Sequence, residues 1–312
     1  MSGLEILRRG GLFIPQVTPF HPDGRIDEGS LRRLTGHFLA QEGVSGIVSC
    51  ARIGEGPVLG WDEQCTVFRA VQGMMDGSHA HIAAIAPQST DQAVAQLHEL
   101  ERIGVAGAMI FPPLLFAWGQ VPGELKFRFF RDLGERARLP VVLFQIPIRS
   151  YWYDVETVAR IARLPNVVAM KEASFDRELF AATARRLRDD GTDLTLLTGN
   201  DRFVGECLEQ GAVGTLLGIT NVATGEWARQ MALARAGDIA GVRAAETHLR
   251  PLQEIIFGEP IVEAVSRIKT VLRHEGVIAH ATIRAPQMGI SPAEQQDLLA
   301  RYEAVRAAAV AR

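Results

Sequence analysis

The chain has little cysteine: Cys50, Cys65 and Cys207 are few, odd in number and far apart. That excludes a disulfide framework and points to a reducing compartment. It also lacks an excess of positive charge. The net charge is -3 and the isoelectric point about 6.3, so neither nucleic acid nor an anionic membrane is an expected partner. No apolar run approaches the roughly 20 residues that a membrane-spanning helix needs. Met1 to Arg9 lack the long apolar core of a secretory signal, which leaves the cytoplasm as the expected location. No Gly-x-Gly-x-x-Gly turn follows the first apolar run, which weakens the case for a doubly wound dinucleotide-binding sheet. Cysteine and histidine never combine at zinc spacing. His79-Ala80-His81 would need further ligands and reads as a surface or loop-facing pair, so no metal is expected.

What is present is ample material for a large core: 312 residues, 47% hydrophobic and 22% charged. Short apolar runs recur, each followed by an amphipathic segment. The runs are Leu12 to Val17, Ser45 to Cys50, His81 to Ala86 and Gly107 to Phe111. They continue with Pro140 to Ile146, Val167 to Met170, Leu194 to Leu197 and Gly211 to Leu217. Lacking alternation, they read as parallel strands buried on both faces. Helical spacing follows at Asp27 to Gln41, Asp62 to Met75, Thr90 to Ile103, Pro122 to Ala137, Asp154 to Ala162, Asp176 to Leu187, Asp201 to Glu209 and Thr224 to Ala234. Ser89 or Thr90, and Asp154, are the expected caps.

Eight strand–helix units in succession predict a (β/α)8 TIM barrel, an α/β fold, over residues 1–236. Beyond Gly237 the strand pattern ends. Ile239 to Ile256, Ile261 to His274 and Ala293 to Ala309 predict a C-terminal helical extension over 237–312. Its apolar faces fit either core packing or a subunit contact.

In such a barrel chemistry gathers where strands end. The second strand delivers Arg52-Ile53-Gly54-Glu55, the fourth Phe111 to Leu115 and the fifth Phe144 to Arg149. The sixth delivers Lys171 and the seventh Thr198 to Asp201. Two arginines and a lysine at a mouth otherwise apolar suit a carboxylate-bearing ligand. A lysine among apolar groups and other cations gives up its proton more readily and becomes a nucleophile toward a ketone. Elsewhere Lys171 would be an ordinary end-of-strand charge; here it is the candidate catalytic residue. Glu55 reads as a turn anchor and Cys50 as a buried small residue.

Gly11 to Phe20 with Gly24-Arg25-Ile26-Asp27, the Gly54-Glu55 turn, Pro147 with Arg149, Met170 to Ser174, Thr198 to Asp201, Gly211 to Gly214 and Asn221 carry a resemblance in their order and spacing. Over nearly its full length the chain resembles the dihydrodipicolinate synthase / N-acetylneuraminate lyase family of class I aldolases. The resemblance implies an imine between Lys171 and pyruvate or another 2-oxo acid, such as a keto-deoxy sugar acid. It implies no cofactor beyond that imine, and a homotetramer. Arg149 takes the family's position for the distal end of the second substrate. With Arg52, Phe144, Gly199, Asn200 and Leu216 it makes up the expected substrate-binding set.

Three departures stand against the synthase reaction. The family's proton-shuttling tyrosine is Phe144, its Gly-Thr-Thr/Ser carboxylate cradle is Ala51-Arg52-Ile53, and the tyrosine lent between subunits is Leu114 or Leu115. The expected activity is therefore a Schiff-base lyase or aldolase other than dihydrodipicolinate synthase. A dehydratase or hydratase-aldolase, or a non-catalytic 2-oxo-acid-binding paralogue, are the alternatives. Arg52 could replace the lost hydroxyls by charge. A water, Tyr151 or the substrate's own carboxylate could move the proton.

Overall fold

The computed structural model describes residues 1–310. A short helix, α1 (Gly3–Arg9), precedes eight strands that alternate with helices. The strands are β1 (Leu12–Pro15), β2 (Val44–Ser49), β3 (Ala80–Ile85), β4 (Gly107–Ile110), β5 (Val141–Gln145), β6 (Val167–Glu172), β7 (Thr195–Thr198) and β8 (Gly214–Leu216). Between and after them come α2 (Glu28–Leu39), α3 (Trp61–Gln72), α4 (Thr90–Ile103), α5 (Gly123–Arg136), α6 (Val155–Ile161), α7 (Arg177–Asp189), α8 (Val204–Glu209) and α9 (Thr224–Arg235). The strands are all parallel and close in sequence order, with β8 pairing back to β1. Every strand residue is buried, which is why the runs show no alternation: one face packs inside the barrel and the other meets the helices. The (β/α)8 expectation holds.

Three more helices follow: α10 (Ile239–Phe257), α11 (Ala264–His274) and α12 (Pro292–Val310). Their inner residues, among them Val242, Ile256, Val271 and Leu272, join the same apolar cluster as the barrel's outer shell. Caps act where polar residues precede helices. Ser89 accepts from the Gln92 N–H and Asp154 from that of Thr157, satisfying first-turn donors.

Three local readings need correction. Residues 3–9, read only as a non-signal, form α1; Ser2 and Glu5 cap it reciprocally, and Ile6 and Leu7 plug the barrel interior. His81 is buried, its ring between Ser49 Oγ at 2.9 Å and Gln72 Oε1 at 3.1 Å, so it is no surface partner of His79. Burial pushes its pKa down to about 3 and keeps it neutral. The helix expected from Asp201 starts only at Val204, which leaves Asp201 free to face the mouth.

Candidate active site

Strand β6 runs two residues further than its apolar stretch, because Lys171 and Glu172 stay in register with β5 and β7. Lys171 lies opposite Phe144 on one side and Leu197 on the other. The lysine is therefore an in-strand residue, only 7% exposed, at a cavity of about 720 Å³. That cavity lies at the carboxyl ends of the strands. Its lining is apolar apart from Arg52, Gln88, Tyr151, Lys171 and Asp201.

Lys171 Nζ sits 4.5 Å from the centroid of the Phe144 ring, which itself meets Phe111 edge-on at 5.0 Å. A π-face favours the ammonium by roughly 0.5–2 kcal/mol, yet burial outweighs it. Desolvation lowers the Lys171 pKa to about 8, with the Asp201 carboxylate opposing and the Arg52 charge adding to the fall. Moving from 10.5 to about 8 raises the neutral, nucleophilic fraction at pH 7 roughly 300-fold. Gly199 makes room for this side chain. A Cβ there would come within 2.6 Å of Lys171 Cε and 2.7 Å of Ala173 Cβ.

The sequence places Asp201 both at the mouth and at a helix start, and assigns it no role. Burial raises its pKa to about 6, while the Ile219 and Gly218 N–H groups, Lys171 and Arg52 hold it down. Its Oδ1 accepts from the Ile219 N–H at 2.9 Å. A carboxyl group titrating near neutrality can both take and return a proton. The signal available was its place after Gly199-Asn200 at the end of β7.

Arg52 lines the cavity and is partly buried, with Nη2 donating to the Ile261 carbonyl at 3.2 Å. Its loop is bracketed by Cys50 and Glu55, both in the left-handed region at φ 57° and 55°. Such backbone costs roughly 1–3 kcal/mol per residue unless its surroundings enforce it. Here they do. Thr18 Oγ1 donates to the Gly54 carbonyl at 2.7 Å, and the fully buried Glu55 pairs with Lys269 of α11 and accepts from the Arg284 N–H at 2.9 Å. The extension thus fixes the loop that presents Arg52, and adds Phe257 and Ile261 to the cavity wall.

The remaining expected contacts divide. Phe144, Gly199 and Tyr151 line the cavity with Arg52 and Lys171. Arg149 does not: its side chain is 82% exposed, stacked 4.8 Å from the Trp152 ring and 3.7 Å from Asp176. Asn200 is buried as a brace. Its amide donates to the Glu172 carbonyl and carboxylate at 3.1 and 2.7 Å, and its Oδ1 accepts from the Phe175 N–H. Leu216 is fully buried in the barrel interior beneath the cavity lining. Of the two leucines weighed at the subunit-tyrosine position, Leu114 reaches the cavity. Among the described residues, no three His, Cys, Asp or Glu side chains gather as a metal would require.

The dihydrodipicolinate synthetase family profile matches residues 8–305. The 4-hydroxy-tetrahydrodipicolinate synthase of Cyanothece sp. is 31% identical over 93% of this chain and 95% of its own. That of Moorella thermoacetica is 30% identical over 93% and 96%. The crystal structure of dihydrodipicolinate synthase from Thermotoga maritima superposes with a TM-score of 0.87 at 26% identity, over 95% of this chain and 98% of that one. Enzymes of this family are class I lyases that work through a lysine imine and need no external cofactor. The chain belongs to the dihydrodipicolinate synthetase family.

Proposed function

We propose that Lys171 is the imine-forming nucleophile of a 2-oxo acid lyase or aldolase whose product is not dihydrodipicolinate. The observation that carries this reading is the pairing of a desolvated amine with a phenyl ring. Lys171 is buried beside Arg52 and Asp201, while the ring at Phe144 has no proton to give. In this reading Arg52 holds the carboxylate of pyruvate or a larger 2-oxo acid by charge-assisted hydrogen bonds. Lys171 Nζ attacks the ketone, water leaves, and the iminium accepts the electrons of the C3–C4 bond in cleavage, or of a C3–H bond in dehydration, where the enamine then expels a protonated C4 hydroxyl as water. Asp201 replaces the phenol as proton carrier, with Tyr151 as a second donor further out. Gly199 gives the lysine its space, Asn200 holds the backbone beyond it, and Leu216 supports it from below.

A homotetramer in the cytoplasm completes the proposal. Three free, buried cysteines support the reducing location, and exposed Leu114, Leu115 and Trp118 near the mouth support a subunit contact. The direct test is incubation with pyruvate and borohydride followed by intact mass, with a parallel assay for dihydrodipicolinate formation. One reduced pyruvate adduct per chain without dihydrodipicolinate is the expected result. Absence of an adduct with pyruvate and with a panel of 2-oxo sugar acids would overturn the lyase reading.

A further inference from the structure

We infer that the group carried beyond the 2-oxo acid carbonyl is apolar and aromatic, so that the aldehyde released or taken up is an aryl aldehyde. This rests on the Schiff-base reading above and names its substrate class. The charged groups Lys171, Arg52 and Asp201 can satisfy the carboxylate and ketone, but little else in the cavity is polar. Gln88 is already engaged: its Oε1 accepts from the Leu114 N–H at 3.2 Å and its Nε2 donates to the Ala86 carbonyl at 3.2 Å. Arg149, the cation best suited to a distal charge, stacks on Trp152 outside the lining. That leaves the Tyr151 phenol as the remaining polar side chain.

A sugar-acid tail would therefore press several hydroxyls against walls of Ile53, Phe111, Ile146, Ile148, Phe175 and Phe257. Each hydroxyl left unpaired there costs roughly a factor of ten or more in affinity. An aryl ring meets the same walls favourably, including the edge-on pair of Phe111 and Phe144. Space agrees, since about 720 Å³ lies within the roughly 300–1,000 Å³ typical of ligand pockets and far exceeds a three-carbon acid.

The cleavage balances without an oxidant. Lys171 Nζ adds to the C2 carbonyl of a 4-aryl-4-hydroxy-2-oxo acid, and water departs to give the iminium. A base takes the C4 hydroxyl proton, the C3–C4 bond breaks into the enamine, and the aryl aldehyde leaves. C3 then takes a proton and water releases pyruvate from the lysine. The reverse direction condenses pyruvate with the aldehyde.

The test uses the full-length protein with pyruvate and either benzaldehyde or glyceraldehyde, products followed by mass, beside the pyruvate–borohydride trap. The expected result is a trapped adduct and a kcat/KM for benzaldehyde on the order of 30-fold above that for glyceraldehyde, the factor that burying a phenyl ring implies. Ile148→Ser, at a half-exposed wall position, should raise the benzaldehyde KM roughly tenfold and the glyceraldehyde KM far less. An adduct with no aromatic product, equal or better use of glyceraldehyde, or equal KM changes would overturn the inference alone. No adduct would overturn it together with the Schiff-base reading.

Discussion

All three lysines of the protein are buried, and two of them, Lys171 and Lys269, look alike and do different work. Lys171 in β6 and Lys269 in α11 both lie against an aromatic face, Phe144 at 4.5 Å and Phe20 at 4.2 Å. Burial pulls both pKa values down. Their partners separate them. Lys269 is completely buried against the Glu55 carboxylate, which opposes the fall but leaves its pKa at about 8, like that of Lys171, and it also donates to the Thr282 carbonyl at 2.8 Å. Its proton is held by neighbours on either side. Lys171 opens on a cavity, where Asp201 opposes and Arg52 favours loss of the proton. Burial alone therefore does not make a lysine reactive; burial with access and without a tight counter-ion does.

Lys171→Ala should remove the reactive amine and leave the Lys269–Glu55 pair untouched. Steady-state turnover of any accepted 2-oxo acid should fall roughly 10⁴-fold or more, while chemical denaturation shows at most a small loss of stability, because no direct ion pair is broken. On the other side, Lys269→Met strands Glu55 as a buried unpaired charge. It should cost roughly 3–5 kcal/mol in the same denaturation experiment, and adding Glu55→Gln should recover most of that. An equal stability loss from the two lysine variants would dissolve the distinction.

Arg52 belongs with Lys171 in this account. Arg52→Ala removes a charge-assisted hydrogen bond worth roughly 1.5–3 kcal/mol and should raise KM for the acid about 10- to 150-fold. Because the side chain is only partly buried, the melting temperature should barely move. An unaltered KM would remove Arg52 from the site. The smallest effect is in pH. The neutral amine is the reactive form, so kcat/KM should rise through an apparent pKa near 8. Asp201 stabilises the ammonium, so Asp201→Asn should move that limb to lower pH. Arg52 destabilises it, so Arg52→Ala should move the limb to higher pH. Shifts in the same direction would contradict the assigned electrostatics.

The barrel was legible because strands buried on both faces must be apolar throughout, and helices between them keep a 3.6-residue period. Lys171 was legible as a charge ending such a run. Side-chain direction was not. Arg149 and Arg52 both lie on loops after strands, but a Trp152 ring draws one outward while the Ile261 carbonyl holds the other at the cavity. Asn200 looked like a ligand contact because an amide has no local pattern that reveals its partner as Glu172. The place of Asp201 at the mouth was legible but its role was not, because a carboxylate before an amphipathic stretch is the usual sign of a cap. The Glu55–Lys269 pair joins residues 214 positions apart, a distance no local pattern spans.

The expectation is that, of the three buried lysines, Lys171 alone is a nucleophile. It is tested most directly by treating the protein with pyruvate and borohydride and mapping the modified peptide. The account predicts a single reduced pyruvate adduct on the peptide carrying Lys171, with the Lys269 peptide unmodified. An adduct on Lys269, or on neither lysine, would contradict it.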